Sequence, residues 1–477
     1  MKITNFTKMS SMFFLGILCF LGTIKAQETF YKTFSGNADD FGNFVSTTND
    51  GGYIIVGKTS SFGAGNYDVW LIKTNSDGDT VWTKTYGGVN GDEGRCVRQT
   101  SDGGYLIAAN TGSYGAGYQD GWIFKTDASG NMEWDFTFGG PLAGDGSSFI
   151  LPVADNYFII CGVLESKSYT FKIDEEGNKL WEKTYFTNNS SGATSMCAAS
   201  NGNYAVIGDF QMFAAGPWYP NLFLIDGEGN LIWQITYTSK DGSPRSVLVS
   251  SDNGFLITGA WNGAQAVMKT DNNGVQLWEY LFPFGGYYTY VNSAVETDDN
   301  NFVVTGTLGN YGNIAKLSSQ GDTLWTHAVP SHDNCPLFSS MQKTSDEGFV
   351  MTGWSGGSGE HYACLAKTDN QGNLLGINEQ AALQSQLVLL QNSPNPFINN
   401  TSIQFSLPEK EVIELAIYDT RGNKIRSLMN GEYAKNTYKI SWNGLDESGS
   451  QCSSGIYYYI LKNQIGLRAC RKMLKIK

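Results

Sequence analysis

Few stretches of this sequence carry the residue types that catalysis needs. Residues 353–357 read Gly-Trp-Ser-Gly-Gly, which matches the pattern around a serine nucleophile, and His361 follows closely. Such a serine lies on a sharp turn from a strand into a helix. Here Gly353 ends a predicted strand and is followed by a loop and another strand, so we expect no catalytic residue at Ser355.

Metal-binding patterns are also weak. Residues 75–79 read Asn-Ser-Asp-Gly-Asp, which is similar to the start of a calcium loop but lacks the glutamate that completes it. The three histidines, His327, His332 and His361, have no metal-ligand spacing. A hairpin turn explains the Asp-Gly sequence, and we expect neither a metal site nor a cofactor.

Two groups of side chains are candidates for ligand binding. Trp218 and Tyr219 lie between two prolines, where they could stack on a sugar or a peptide or cover a neighbouring repeat. The second group is acidic and could hold a cation or simply be solvated. Its members are Asp39, Asp40, Asp92 and Glu93.

These candidate residues belong to a sequence that repeats seven times. A signature of the form aliphatic-Lys-Thr-Asp-x-x-Gly-x-x-x-Trp returns about every fifty residues. Its glycines are Gly78, Gly130, Gly177, Gly229, Gly274, Gly321 and Gly372, and the tryptophans of the first six copies are Trp82, Trp134, Trp181, Trp233, Trp278 and Trp325. A period of this length is typical of an array of small sheets, usually a propeller.

Each repeat contains four short apolar segments separated by turn residues, which predicts a four-stranded blade. Residues 53–56 and 70–72 are apolar at successive positions, so both faces of these strands should be buried, as they are when blades stack around an axis. A glycine ends the second strand of six repeats: Gly57, Gly162, Gly208, Gly259, Gly306 and Gly353. We expect the repeated tryptophans to pack between blades.

The two ends of the array should join. The seventh repeat has Gly376 where the other copies have tryptophan, and its fourth strand is missing. Residues 29–34, however, read as an unaccompanied strand in which Phe30 takes the place of the tryptophan. Pairing this strand with the last repeat leaves no open edge. The sequence predicts an all-β fold with a seven-bladed β-propeller over residues 27–377, closed by its N-terminal strand.

The first 26 residues have the features of a secretory signal peptide. Lys2 and Lys8 precede an apolar stretch from Met12 to Leu21, and Ala26 is a plausible cleavage position. We expect no transmembrane segment elsewhere. The cysteines that remain after the leader match no disulfide or zinc pattern, so we expect them to be free and buried.

The formal net charge of −13 is unevenly distributed. Acidic residues dominate from residue 27 to about 380, whereas the last 70 residues are basic. An acidic exterior repels nucleic acid, which excludes nucleic-acid binding as a function of the repeats.

The repeats end after Gly372, and a different module follows a linker over residues 378–392. Residues 393–477 contain six or seven short segments of alternating polarity, beginning with those at 403–407 and 413–417. This pattern predicts a small immunoglobulin-like β-sandwich.

Four stretches of this module resemble the C-terminal (type A) sorting domain of type IX secretion cargo: residues 394–397, 417–425, 454–459 and the basic end 471–477. The resemblance implies passage through the periplasm and then through the type IX machinery of the outer membrane. The matching positions are Pro394, Asn395, Pro396, Gly422, Gly455, Lys472 and Lys477.

These observations lead to a secreted or cell-surface propeller, located extracellularly or on the outer cell surface, that acts as a binding or adhesion module. Its candidate ligands are an extracellular glycan or protein. The alternative is a secreted hydrolase or lyase with a site in the axial pit of the propeller, in which Asp39, Asp92 or Asp145 would be essential. A purely structural part of the cell envelope is a third possibility.

Overall fold

The computed structural model describes residues 29–141, 144–213, 216–282, 290–308, 311–328, 337–356, 360–374, 388–389, 392, 394–407, 410–419, 423–463 and 468–476. These residues form strands, turns and two single 3₁₀ turns, Ala154–Asn156 and Ser200–Gly202. The predicted leader, residues 1–26, lies outside the described residues.

Seven four-stranded antiparallel sheets form the blades of a propeller. The first three follow the chain in order. Blade 1 contains β2 (Asp40–Thr47), β3 (Tyr53–Thr59), β4 (Asp68–Thr74) and β5 (Thr80–Tyr86). Blade 2 contains β6 (Asp92–Gln99), β7 (Tyr105–Thr111), β8 (Asp120–Thr126) and β9 (Met132–Phe138). Blade 3 contains β10 (Gly146–Val153), β11 (Tyr157–Leu164), β12 (Lys167–Ile173) and β13 (Lys179–Tyr185).

Blades 4 to 6 have the same topology. Blade 4 contains β14 (Ser190–Ala198), β15 (Tyr204–Gln211), β16 (Trp218–Ile225) and β17 (Leu231–Thr236). Blade 5 contains β18 (Gly242–Val249), β19 (Phe255–Trp261), β20 (Ala264–Thr270) and β21 (Gln276–Leu281). Blade 6 contains β22 (Val291–Glu296), β23 (Phe302–Leu308), β24 (Tyr311–Leu317) and β25 (Thr323–Ala328).

Blade 7 confirms the predicted closure. Its strands β26 (Leu337–Lys343), β27 (Phe349–Gly356) and β28 (His361–Thr368) are completed by β1 (Phe30–Phe34), which pairs antiparallel with β28. Phe30 lies opposite Lys367, just as Trp82 lies opposite Lys73 in blade 1. Phe30 therefore occupies the tryptophan position, and the sevenfold architecture read from the repeat is confirmed.

The repeated tryptophans and glycines meet between blades. A Cβ built on Gly130 of blade 2 would lie 3.0 Å from the indole of Trp82 in blade 1, and the same contact joins Trp134 to Gly177. All seven signature glycines have positive φ, at 76–86°. Glycine is needed here because it adopts this backbone conformation and leaves room for the indole of the preceding blade.

A buried lysine holds one turn in five of the blades. Lys269 is 3% exposed, and its ammonium group contacts Asp252 at 2.9 Å in the turn before the second strand. The equivalent pairs are Lys73–Asp50, Lys125–Asp102, Lys316–Asp299 and Lys367–Asp346. The Lys-Thr part of the repeat signature thus anchors the Asp-Gly turn of the same blade.

The C-terminal module forms two further sheets, as predicted for an immunoglobulin-like domain. One contains β29 (Val388–Leu389), β30 (Thr401–Leu407) and β33 (Asn436–Trp442). The other contains β31 (Glu411–Tyr418), β32 (Lys424–Tyr433), β34 (Gly455–Asn463) and β35 (Arg468–Lys475). Ile403, Trp442 and Tyr459 are buried in the core between them.

Candidate functional site

The innermost strands of the blades surround a central channel with a volume of about 700 Å³. Its walls come from the first strand of each blade, where side chains alternate between the channel and the core. Hydroxyl and amide groups share these walls with apolar side chains such as Phe149 and Val247.

Every first strand contains a β-bulge at the same height. A bulge inserts one extra residue, which bends the strand and redirects a side chain. The seven extra residues all line the channel: Asn43, Arg95, Ser148, Thr194, Arg245, Asn292 and Ser339. We call this set the bulge ring.

The bulges explain the recurring glycines of the second strands, which lie two or three residues before the strand ends and not at the ends as predicted. Gly162 pairs with Ser147 at the bulge of blade 3, and a Cβ on Gly162 would lie 2.0 Å from the carbonyl oxygen of Gly146. At Gly57, Gly208 and Gly353 the corresponding distance is 1.8 Å. Blade 2 has Ala109 instead, and there the opposing residue at the bulge is Gly94.

Two arginines give the bulge ring a positive character. Arg95 and Arg245 are exposed and come from blades 2 and 5, which are three blades apart. The Arg245 guanidinium lies over the Tyr290 ring, 3.8 Å from its centre, and has no ion pair among the described residues. A guanidinium held flat on an aromatic ring keeps its edge available for a carboxylate.

Glu93, one of the predicted rim residues, contacts this ring. The Asn43 amide donates to Glu93 Oε1 at 2.9 Å, and Arg95 and Lys58 lie 3.6 and 3.5 Å from its carboxylate. Burial alone would raise the pKa of Glu93, but Arg95, Lys58 and Asn43 together lower it. Glu93 is therefore an ionised partner of Arg95.

A second carboxyl group near the ring behaves differently. Burial raises the pKa of Asp209 to about 6, although Ser243 and Arg245 beside it act in the opposite direction. Its Oδ1 atom is buried without a hydrogen-bond partner. A carboxyl group with this pKa can exchange a proton near neutral pH. The sequence analysis overlooked Asp209 as a functional candidate.

The other acidic candidates are tied into the loops around the rim. Asp40 is fully buried and accepts hydrogen bonds from Thr59, Ser61 and the Gly36 amide. Asp92 is also buried and accepts from Ser113 and the Gly88 amide.

Asp39 and His361 meet at the junction between blades 7 and 1. Asp39 Oδ1 lies 2.8 Å from the imidazole Nδ1 of His361 and accepts from the His361 amide. The imidazole packs edge-on against Trp354, with 4.6 Å between ring centres. Ser355 is inside strand β27, is 3% exposed and pairs with Tyr362. The strand-to-helix turn of a nucleophile is not found at this serine.

The predicted aromatic pair begins strand β16. Trp218 pairs with Gln211 and is 39% exposed, and Tyr219 pairs with Phe210. Both residues are in blade 4, whereas Asp39 and Glu93 are in the region of blades 7, 1 and 2. The structure therefore does not bring the two groups of predicted ligand-binding residues together.

Within the described residues, no group of three or more acidic, histidine or cysteine side chains is arranged to hold a metal ion. In the described part of the chain five cysteines are free: Cys96, Cys161, Cys197, Cys364 and Cys452. The first four are buried as expected, whereas Cys452 is only partly buried. The described part of the chain contains no helix long and apolar enough to cross a membrane.

In the C-terminal module, the predicted sorting motif is bound to the last strand. Asn395 Oδ1 accepts from the Leu474 amide at 2.8 Å, and the Phe397 amide donates to the Leu474 carbonyl at 3.0 Å. Gly455 begins β34 opposite Lys475. Lys472 is in β35, opposite Tyr458, whereas Gly422 and Lys477 lie outside the described residues.

Several solved structures are similar to this chain. The extracellular domain of the putative hybrid two-component system BT4673 from B. thetaiotaomicron shares 12% identity over 94% of this chain and 60% of its own, with a TM-score of 0.44. PorZ from Porphyromonas gingivalis, described as an essential surface component of the type IX secretion system, shares 12% identity over 90% of this chain and 64% of its own, with a TM-score of 0.39. The chain thus spans less than two thirds of either structure.

A streptogramin B lyase structure shares 11% identity over 71% of this chain and 98% of its own, with a TM-score of 0.47. No curated protein sequence matches the chain. Residues 398–465 match the model of the FlgD Ig-like domain, and this part of the chain is similar to that family.

Proposed function

We propose that this protein is a secreted or cell-surface binding module whose ligand enters the central channel and contacts the bulge ring. The ring supports this function because it points seven polar side chains at one volume of about 700 Å³, a size suited to a small ligand or the end of a chain. Hydroxyls and amides match the groups of a glycan or a peptide. The two arginines favour a ligand that carries a carboxylate.

The binding proposal is tested on glycan and peptide arrays with the purified protein. We expect acidic glycans or peptides to bind, and the double substitution R95Q/R245Q to weaken binding at least about tenfold, because a hydrogen bond to a charged group contributes about 1.5–3 kcal/mol. K84Q is the matched control, since Lys84 is an exposed cation on an outer strand. The proposal is contradicted if the wild-type protein binds nothing on either array, or if the double variant binds as well as the wild type.

We propose that the chain reaches the outer cell surface in two steps. In this proposal, residues 1–26 form the leader, 27–377 the propeller, 378–392 a linker and 393–477 the sorting domain read by the type IX machinery. Two observations support this proposal. One is the sequence resemblance, and the other is the hydrogen bonds that join the Pro394–Phe397 segment to β35, so that the motif and the basic terminal strand form one surface.

Export is tested by expressing the chain with and without residues 393–477 in a host that has type IX secretion. We expect the full chain outside the cell and the truncated chain in the periplasm with its propeller folded, as judged by resistance to protease. A truncated chain that still reaches the surface contradicts this assignment. A reporter fused to residues 378–477 checks that the module is sufficient.

A second candidate function, a secreted hydrolase or lyase, is favoured by Asp209. Its raised pKa and its position beside Arg245 suit a general acid that serves a substrate in the channel. Screening polysaccharide, peptide and ester substrates against wild type and D209N separates the two functions. Turnover that D209N abolishes supports the enzyme, whereas binding without turnover supports the binding module.

A further inference from the structure

Two neighbouring blade junctions contain pairs of buried aspartates, of which Asp145 also lines the channel. Asp120 begins β8 of blade 2, and Asp145 precedes β10 of blade 3; they are 1% and 2% exposed. Their carboxylates flank Gly139, in the segment that joins the two blades. The ion pairs of the described residues include neither aspartate.

Backbone amides use one oxygen of Asp120 and both oxygens of Asp145, whose Oδ1 accepts from the Glu165 amide. Asp120 Oδ2 accepts from the Ala116 and Gly117 amides at 2.7 and 3.0 Å, and Asp145 Oδ2 accepts from the Gly140 amide at 2.7 Å. These amide bonds fix both carboxylates in place. Asp120 Oδ1 has no hydrogen-bond partner although it is buried. A buried, unsatisfied carboxylate oxygen is costly, so it points to a missing partner.

The free oxygen of Asp120 faces Asp145. Asp120 Oδ1 and Asp145 Oδ2 lie 1.8 and 3.1 Å from a single point, the place that a Cβ of Gly139 would take. A Ca²⁺ ion binds oxygens at roughly 2.3–2.6 Å, so two ligands of one ion can be up to about 5 Å apart. Both oxygens are close enough for one cation. The carbonyl oxygen of Gly140 is nearby, 2.3 Å from the Cβ position of Gly117.

The preceding junction contains a similar pair. Asp68 Oδ1 and Asp92 Oδ2 lie 2.3 and 2.6 Å from the Cβ position of Gly87, and both residues are buried. Here the oxygen buried without a partner is Asp92 Oδ1, whereas Asp92 Oδ2 already accepts from Ser113 and the Gly88 amide. At the next junction, between blades 3 and 4, Lys167 takes the position of Asp120, and its ammonium group donates to the Asn189 carbonyl. A positive charge is built into the protein where the aspartate pair is absent.

We propose that each aspartate pair binds a divalent cation, with Ca²⁺ as the fitting ion, and that these two ions clamp blades 1, 2 and 3 together. The ligands are oxygens only, which suits a hard cation. Two carboxylates with backbone and water oxygens correspond to the weak sites of extracellular modules, with Kd of about 10⁻⁴–10⁻³ M. This inference extends beyond ligand binding in the channel, with Asp145 at the channel wall.

Terbium luminescence tests the sites directly, because Trp70 and Trp122 follow Asp68 and Asp120 by two residues and can sensitise a bound lanthanide. The chain without its leader is stripped with a chelator and titrated with Tb³⁺, and Ca²⁺ is then used as a competitor. We expect two ions per chain, displaced by Ca²⁺. D120N should retain one ion, and D68N/D120N should retain none. The matched control is D155N, in an exposed turn of blade 3, which should retain two.

A second measurement uses stability. Because a cation that binds only the folded state stabilises it, the unfolding temperature of the wild type should rise with Ca²⁺ at millimolar concentration, and that of D68N/D120N should not. If D120N does not fold, D145N tests the same junction. Absence of both terbium binding and a calcium-dependent shift in the wild type would overturn the proposal.

Discussion

At the scale of single residues, the fold depends on glycines with two separate duties. The signature glycines adopt a positive φ in a turn and leave room for the indole of the preceding blade. The recurring glycines of the second strands leave room for the backbone of a bulge. The first duty was predictable from the Gly-x-x-x-Trp spacing. The second was visible in the sequence as a recurring glycine, but its cause, a close backbone oxygen, required coordinates.

Replacing a signature glycine should destabilise the fold in two ways, through the positive φ and through a clash with the indole. Comparison with a glycine that has only the positive φ separates the two effects. We expect G103A to lower the free energy of unfolding by about 1–2 kcal/mol, because Gly103 has φ of 87° but open space around its Cβ position. G130A should lose more, by a further 1–3 kcal/mol or so, since its Cβ also presses on Trp82. Urea unfolding of both variants measures the difference; equal losses would show that the indole contact contributes nothing.

The buried lysines give a second prediction at this scale. In D252N, Lys269 keeps the Thr270 carbonyl and an uncharged amide oxygen as possible acceptors but loses its ion pair, so its charge is left buried without a counter-charge. We expect a loss of roughly 1–3 kcal/mol in the free energy of unfolding. The double variant D252N/K269M should recover part of this loss, because both charges are then removed. If the double variant is no more stable than D252N, Asp252 stabilises the protein only through its hydrogen bonds within the turn.

At the scale of elements, β1 determines whether the propeller is a closed ring. Five residues pair with β28, and the Phe30 ring contacts Tyr53 and Gly78 of blade 1. Removal of residues 29–34 exposes the edge of β28 and the side of blade 1. We expect the truncated protein to aggregate or to unfold over a broader range of denaturant. A sharp, unchanged unfolding transition would show that the ring does not need this strand.

The sequence predicted the blades, their number and the closing strand because each depends on local spacing. The predicted acidic rim residues stay candidates: Asp40 and Asp92 accept hydrogen bonds from loop amides and hydroxyls. The bulge ring was not predicted. The bulge ring combines one residue from each of seven distant segments, and no short pattern connects them. The recurring glycine of the second strand was the available sequence signal for the bulge, because the extra residue of each bulge lies almost opposite it.

At the scale of the whole molecule, the five lysine–aspartate pairs make stability depend on acidity. Burial alone would raise the pKa of Asp50, Asp102 and Asp252, but hydrogen bonds from the lysine, a hydroxyl and a glycine amide outweigh it and lower each pKa from 3.8 to about 2. The folded protein then binds fewer protons than the unfolded chain. The stabilisation is complete above the aspartate pKa of the unfolded chain, and it is lost as the pH falls through the aspartate pKa of the folded protein.

We therefore expect the propeller to lose stability between about pH 4 and pH 2. Urea midpoints measured over this range should fall as the pH decreases, and the slope should be smaller in D252N, which has one pair fewer. A midpoint that is constant from neutral pH down to about pH 2 would contradict this account of the pairs.

The pairing of β1 with β28 also dictates an order of events during biosynthesis. Asp39, just after β1, accepts a hydrogen bond from the amide of His361, which lies 322 residues later in the sequence. Strand β1 must therefore wait for β28 to be synthesised before it can pair. Until then β1 has no partner strand, and the ring cannot close.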